Sequence, residues 1–186
     1  MVVQRKKTYT VAEFTAFITL PENIERLFEL IDGEIIEKVP TEEHGIIAGN
    51  IVTEFNLYHR QNRIGRGGVE IRYRLPKDDQ NDLLSDVSFR NNPDAPAVRE
   101  GPVSSMPDLA VEIKSPDQTY KLMRDKADYY HANGSRLVWL VYPEKRLVEV
   151  LTSTEREILS DTDTLNGGDV LPGFTMKVSD VFAGLE

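Results

Sequence analysis

Pro107-Asp108-Leu109-Ala110-Val111-Glu112-Ile113-Lys114-Ser115-Pro116 is the stretch on which both fold and function turn. Between its two outer prolines lies a short apolar run that suits a central strand and gains charge only at its end. Glu112 and Lys114 are two residues apart, so a strand places both on one face of its sheet. A solvated sheet edge can carry such a pair. A strand this apolar argues instead for burial, and a buried carboxylate needs a cation, a proton or a dense shell of hydrogen bonds. Lys114 is one candidate partner and a divalent metal is another.

Spacing then selects a second carboxylate. Asp108 shares the face of Glu112, but four residues along a strand is roughly 13 Å, too far for one ion to touch both. Lys114 is only about 7 Å along the strand from Glu112, close enough to converge on one substrate group. The preceding strand, expected over Leu83–Arg90, carries Asp86 within Ser85-Asp86-Val87-Ser88-Phe89. If the two strands run antiparallel with Arg90 facing Asp108, Asp86 sits opposite Glu112 and the two can share an ion. Asp86, Glu112 and Lys114 then form one constellation. Hard oxygen ligands of this kind select Mg2+ or Mn2+. Such a metal binds a phosphate oxygen, acidifies a bound water and offsets developing charge. A nearby lysine orients or deprotonates that water or stabilises the transition state. The chemistry indicated is phosphodiester hydrolysis.

Outward from this pair, the sequence predicts a mixed sheet. Asp117 or Gln118 begins a helix to about Ala132, closed by Asn133-Gly134. The apolar Arg136–Tyr142 suits a strand covered on both faces. Lys145–Thr152 and Glu155–Ser160 form a hairpin, followed by a strand near Phe174–Val178 and a terminal helical turn. Upstream, Thr8 or Thr10 caps a helix over Val11–Ile18, and Arg26–Ile31 and Glu34–Val39 flank Asp32-Gly33, a favoured hairpin turn. Thr41–Asn62 places Ile47, Ile51, Phe55 and Tyr58 on one helix face, and Gly65, Gly67 and Gly68 end it. Val69–Leu75 alternates as a strand, while 91–107, rich in proline, is an irregular connection. The fold class is α/β in its mixed α+β form, a central mixed β-sheet flanked by helices. We expect one domain over 1–186, with an N-terminal helix and hairpin (1–40), a core (41–142) and a C-terminal hairpin and tail (143–186).

Composition narrows the function. The 186 residues are 40% hydrophobic and 28% charged, ordinary globular usage. With 22 Lys and Arg against 31 Asp and Glu, the net charge is −9, which argues against coating nucleic acid or membrane by bulk attraction. It leaves room for an enzyme that meets phosphate through a bound cation. The absence of cysteine excludes disulfides, zinc–thiolate sites, iron–sulfur clusters and cysteine nucleophiles. The start of the chain is polar, and no apolar run approaches the about 18 residues of a spanning helix. A cytoplasmic protein with no membrane partner is the expectation.

An Asp at the start of one strand and Glu-x-Lys on the next resembles the PD-(D/E)xK nuclease superfamily. The wider layout is similar to the Uma2 restriction-endonuclease-like group. The matching pieces are Phe28-Glu29-Leu30-Ile31-Asp32-Gly33-Glu34, His44-Gly45-Ile46, Ser85–Phe89, Pro107–Pro116, Lys126-Ala127-Asp128-Tyr129-Tyr130, Val138-Trp139-Leu140-Val141 and Leu171-Pro172-Gly173-Phe174. They run in order along almost the whole chain. The resemblance implies a restriction-endonuclease-like core and Mg2+-dependent cleavage of DNA. It implies Asp86 and Glu112 as metal ligands and Lys114 as catalytic lysine. Ser85 stands where the superfamily often has proline. Relatives carry an apolar residue at the position of Lys114 and a lysine like Lys126 in the next helix, so Lys126 is the second choice for that role.

Other residues carry shorter readings. Asp108 is a structural cap or a second-metal ligand, and the structural reading is preferred. Glu29, Glu34 and His44 face either the cleft or solvent. His59 and His131 have no companions at metal-ligand spacing. Tyr120, Tyr129 and Tyr130 read as packing groups. Arg63, Arg66, Arg72 and Arg74 form the one sizeable basic cluster, which meets a DNA backbone or lies as a solvated strand face. The alternative to a DNA endonuclease is a nuclease-like DNA- or protein-binding module with weak or no catalysis, and a hydrolase of small phosphoesters is a third reading. Cutting both strands of a duplex needs two active sites, so a homodimer is expected.

Overall fold

The computed structural model describes residues 7–185; the polar start of the chain lies largely outside the described residues. Helix α1 (Val11–Ile18) begins with a capping box in which the Thr10 hydroxyl accepts from the Glu13 amide and the Glu13 carboxylate accepts from the Thr10 amide. Strands β1 (Leu27–Ile31) and β2 (Glu34–Lys38) are joined by Asp32 and Gly33, whose φ angles of 49° and 76° are what a two-residue hairpin turn requires. The register pairs Leu27 with Lys38 and Glu29 with Ile36, so Glu29 and Lys38 share one face of the hairpin. Leu30 and Asp82 exchange both backbone hydrogen bonds (3.0 and 2.8 Å), which anchors the hairpin beside the main sheet.

Helix α2 (Glu42–Asn62) starts at Thr41, whose hydroxyl accepts from the His44 amide, and buries Ile47, Ile51 and Phe55. It does not run to the glycines. Arg63 adopts a left-handed conformation (φ 56°) and closes it, and Gly67 and Gly68 already belong to strand β3 (Arg66–Tyr73). Gly67 has a packing reason: a Cβ there would lie 2.9 Å from the Phe55 Cβ, so only glycine lets β3 pass this close to α2.

Strands β4 (Leu83–Arg90) and β5 (Leu109–Ile113) are followed by helix α3 (Tyr120–Ala132), then β6 (Leu137–Tyr142), β7 (Leu147–Leu151) and β8 (Arg156–Ser160). The main sheet has the order β3-β4-β5-β6-β7-β8; β5 and β6 are parallel, with α3 as their crossover, and every other pair is antiparallel. Thr119, not Asp117 or Gln118, caps α3. A hairpin of β9 (Thr164–Gly167) and β10 (Leu171–Lys177) and the short helix α4 (Val178–Val181) complete the order. Strand β9 escapes a pattern search because Thr-Leu-Asn-Gly has a single apolar residue.

The β4–β5 register is the one deduced from the sequence: Val87 pairs with Val111, Ser88 with Ala110 and Phe89 with Leu109. One face of the sheet packs Val87, Val111 and Trp139 against Phe55 and Phe174. The other packs Ala110, Val138 and Leu140 against Met123, Ala127 and Tyr130 of α3. Each fully buried large apolar side chain contributes about 1.5–3 kcal/mol, so both faces hold β4 and β5 rigidly in place. Among the described residues no helix is long and apolar enough to cross a membrane.

Candidate active site

Where the β4–β5 ladder ends, Asp86 replaces a backbone partner: its Oδ2 accepts from the Ile113 amide at 2.7 Å. Its Oδ1 receives the Lys38 ammonium, and His44 Nε2 lies 3.2 Å away. Lys38 Nζ also donates to the Leu84 carbonyl at 2.7 Å. Burial alone would raise the Asp86 carboxyl, which is only 3% exposed, but Lys38, with His44 and Lys126, pulls it far below the usual range. Lys38 responds in kind: burial works against its charge, and Asp86, Glu29 and Glu112 together outweigh burial and raise it.

Glu112 lies on the same sheet face, one rung beyond Val111. Lys126 Nζ donates to its Oε2 at 2.5 Å and the Tyr130 hydroxyl to its Oε1 at 2.7 Å. Burial pushes the Glu112 carboxyl up to about 7 against the pull of Lys126, and the Asp86 charge adds to the rise. Lys126, whose side chain has no exposed surface, also meets both oxygens of Glu29 (3.0 and 3.1 Å). Burial disfavours its charge, but Glu112 and Glu29 outweigh that and raise it, so it is held as an ammonium. Glu29 Oε1 in turn accepts from the Leu84 amide at 2.8 Å. Three carboxylates (Glu29, Asp86, Glu112) thus face two ammonium groups (Lys38, Lys126) inside the protein.

The predicted residues divide. Asp86, Glu112 and Lys126 come together, joined by Glu29 and His44. Lys114 follows the last residue of β5, so strand alternation no longer fixes its direction. Its Nζ lies 3.6 Å from Glu144 Oε1, 3.2 Å from the Ser115 carbonyl and over the Tyr120 ring. Asp108 lies apart from the cluster, accepting from the Asn91 amide at 2.7 Å and from Arg136 at 3.1 Å. Glu34 lines a separate cleft with Tyr9 and Phe28. Lys38 and the hydroxyl role of Tyr130 were missed. The signal for Lys38 is its place in the hairpin register, on the face of Glu29.

Three of the four arginines of the basic cluster are spent internally, and Arg63 is exposed. Arg72 donates to Asp82 Oδ1 (2.5 Å) and the Phe28 carbonyl (2.9 Å), Arg74 to Asp82 Oδ2, and Arg66 to the Ala95 carbonyl. No three His, Asp or Glu side chains among the described residues are grouped to hold a metal by themselves. Asp86 and Glu112 nevertheless fit a small hard cation in kind, because Mg2+ is held through one or two carboxylates and completes its shell with water and phosphate.

The sheet order and the acids at its centre define a restriction-endonuclease-like fold. The Uma2 family, described as "Putative restriction endonuclease", matches residues 13–179, and the chain belongs to that family. A solved structure from Anabaena variabilis ATCC 29413, described as a putative nuclease belonging to DUF820, is similar with a TM-score of 0.77. It is 25% identical in sequence, over 93% of this chain and 97% of that one. No curated protein matches the chain.

Proposed function

We propose that the protein is a Mg2+- or Mn2+-dependent DNA endonuclease that hydrolyses phosphodiester bonds at Asp86 and Glu112. The observation that carries this reading is the pair itself: two buried carboxylates on adjacent strands, one rung beyond the Val87–Val111 pair, one of them held firmly ionised. Asp86 and Glu112 would hold the metal, which when bound offsets phosphate charge and acidifies the attacking water. Water adds its oxygen to phosphorus, the phosphorus–oxygen bond of the leaving group breaks, and a proton passes to that oxygen.

Lys126 takes the lysine role in place of Lys114. Held as an ammonium, it is not a general base; from behind Glu112 it fixes that carboxylate and adds positive charge to the site. Tyr130 orients Glu112 from the other side, and His44 reaches Asp86 from the first turn of α2. Lys38 holds Asp86 Oδ1, the oxygen not taken by the Ile113 amide, so a metal held by Asp86 would compete with this ammonium.

The second reading, a binding module without catalysis, draws support from the same contacts, since Lys38 and Lys126 balance much of the acid without a metal. Cleavage of DNA in Mg2+ and Mn2+ at several salt concentrations separates the two. The endonuclease reading expects cutting that Asp86→Asn abolishes while the melting profile stays cooperative. No cutting with either metal would favour the binding module.

A further inference from the structure

Asp86 and His44 form the polar end of a groove of about 270 Å³ between α2 and β3. The rest of its lining is mostly apolar and small: Gly45, Gly49 and Val52 from one face of α2, and Val69 from β3. The room comes from missing side chains, because a Cβ on Gly45 or Gly49 would meet nothing within 4 Å. This volume is just under the roughly 300 Å³ at which small-ligand pockets begin, so it takes one sugar and base and not a duplex.

Charge points the same way. A protein that tracks duplex backbone needs a row of free cations. Here Arg72 and Arg74 are bound to Asp82, and the groove's lining carries two acids, Asp86 and Glu70, and no lysine or arginine. Long backbone contact is disfavoured, whereas an apolar slot ending at a nuclease carboxylate suits one nucleotide whose faces are free. A paired base has its faces covered by the stack; an unpaired base does not.

We propose that this groove seats the deoxyribose and base of one unpaired nucleotide, with its phosphate at Asp86, so that single-stranded DNA is the preferred substrate. The proposal rests on the endonuclease reading for its chemistry, and its binding step needs only the divalent cation that lets a phosphate sit at Asp86, so binding is measured with Mn2+ present. A single-stranded substrate is cut by one active site, so it does not call for the homodimer that duplex cutting would.

The test fills the groove with Gly49→Leu, and independently with Val69→Phe from the strand side. Leucine improves helix propensity over glycine, and a melting curve checks that the fold is kept. Wild type is expected to cut a labelled single-stranded 12-mer at least tenfold faster than its duplex. Both variants are expected to cut and bind that 12-mer at least tenfold less well, with binding read by fluorescence anisotropy. Folded variants that bind and cut it as wild type does, or a wild type that prefers duplex, would overturn the proposal. If wild type cuts no DNA, the endonuclease reading fails, and anisotropy still decides the groove. Binding weakened tenfold by both variants upholds it; unchanged or absent binding overturns it.

Discussion

Two lysine–carboxylate contacts occupy one cluster and differ in their access to solvent. Lys126 is sealed beneath α3 with Glu29 and Glu112, and its side chain has no exposed surface. Lys38 is 11% exposed and meets Asp86 beside His44, where the groove between α2 and β3 opens. The inner cation is tied to two carboxylates and is a fixed part of the fold. The outer cation shares a single carboxylate oxygen, and on the proposed function it is the one a metal would replace. One cluster thus combines a permanent positive charge with a replaceable one.

The sharpest way to break this comparison is to remove each cation in turn. Lys126→Met strands Glu29 and Glu112 away from water and is expected to cost about 3–5 kcal/mol in urea denaturation. Lys38→Met leaves Asp86 with His44 and the Ile113 amide, and is expected to cost less than half as much. Equal costs would mean that the two sites do not differ as described.

The two acids should also respond oppositely to pH in metal-free buffer. The folded pKa of Glu112 is raised, so its contribution is fullest below about 4.5 and is lost as pH rises through about 7, on the order of 3 kcal/mol. Asp86 is depressed, so its contribution is present above the ordinary carboxylate range and is lost as pH falls below it. Melting temperature against pH checks both, and Glu112→Gln should flatten the decline between pH 5 and about 7. A decline that persists in Glu112→Gln would assign it elsewhere.

A smaller effect reads the exchange directly. With its competitor gone, Lys38→Met should bind Mn2+ about tenfold more tightly, or about 1.4 kcal/mol, by titration calorimetry. Unchanged or weaker binding would show that Lys38 does not compete. The smallest effect belongs to Lys114, whose ion pair with half-exposed Glu144 is worth at most about 1 kcal/mol. Lys114→Met should leave cleavage within about twofold of wild type, whereas a loss above a hundredfold would return the lysine role to it.

How much of this was legible depends on periodicity. The opposition of Asp86 and Glu112 could be deduced because both strands are apolar and register along a ladder is fixed by counting. Lys114 follows Ile113, the last residue of β5, so counting along the strand does not fix its side chain, which lies by Glu144. Glu29 and Glu34 both flank one turn in sequence, and only docking of the hairpin through Leu30 and Asp82 buries the first. Lys38 resembles any lysine at the end of a hairpin strand; its role arises from a contact 48 residues away in the chain. The arginine cluster looked like a DNA surface because Asp82, which takes up Arg72 and Arg74, lies in a loop with no pattern of its own.

The central claim is that Asp86 and Glu112 hold the metal of a nuclease. Anomalous diffraction from crystals grown with Mn2+ tests it most directly. The account predicts a peak between the two carboxylates, with the Lys38 ammonium displaced from Asp86 and Lys126 still on Glu112. No peak there, with Lys38 still seated on Asp86 at saturating Mn2+, would contradict it.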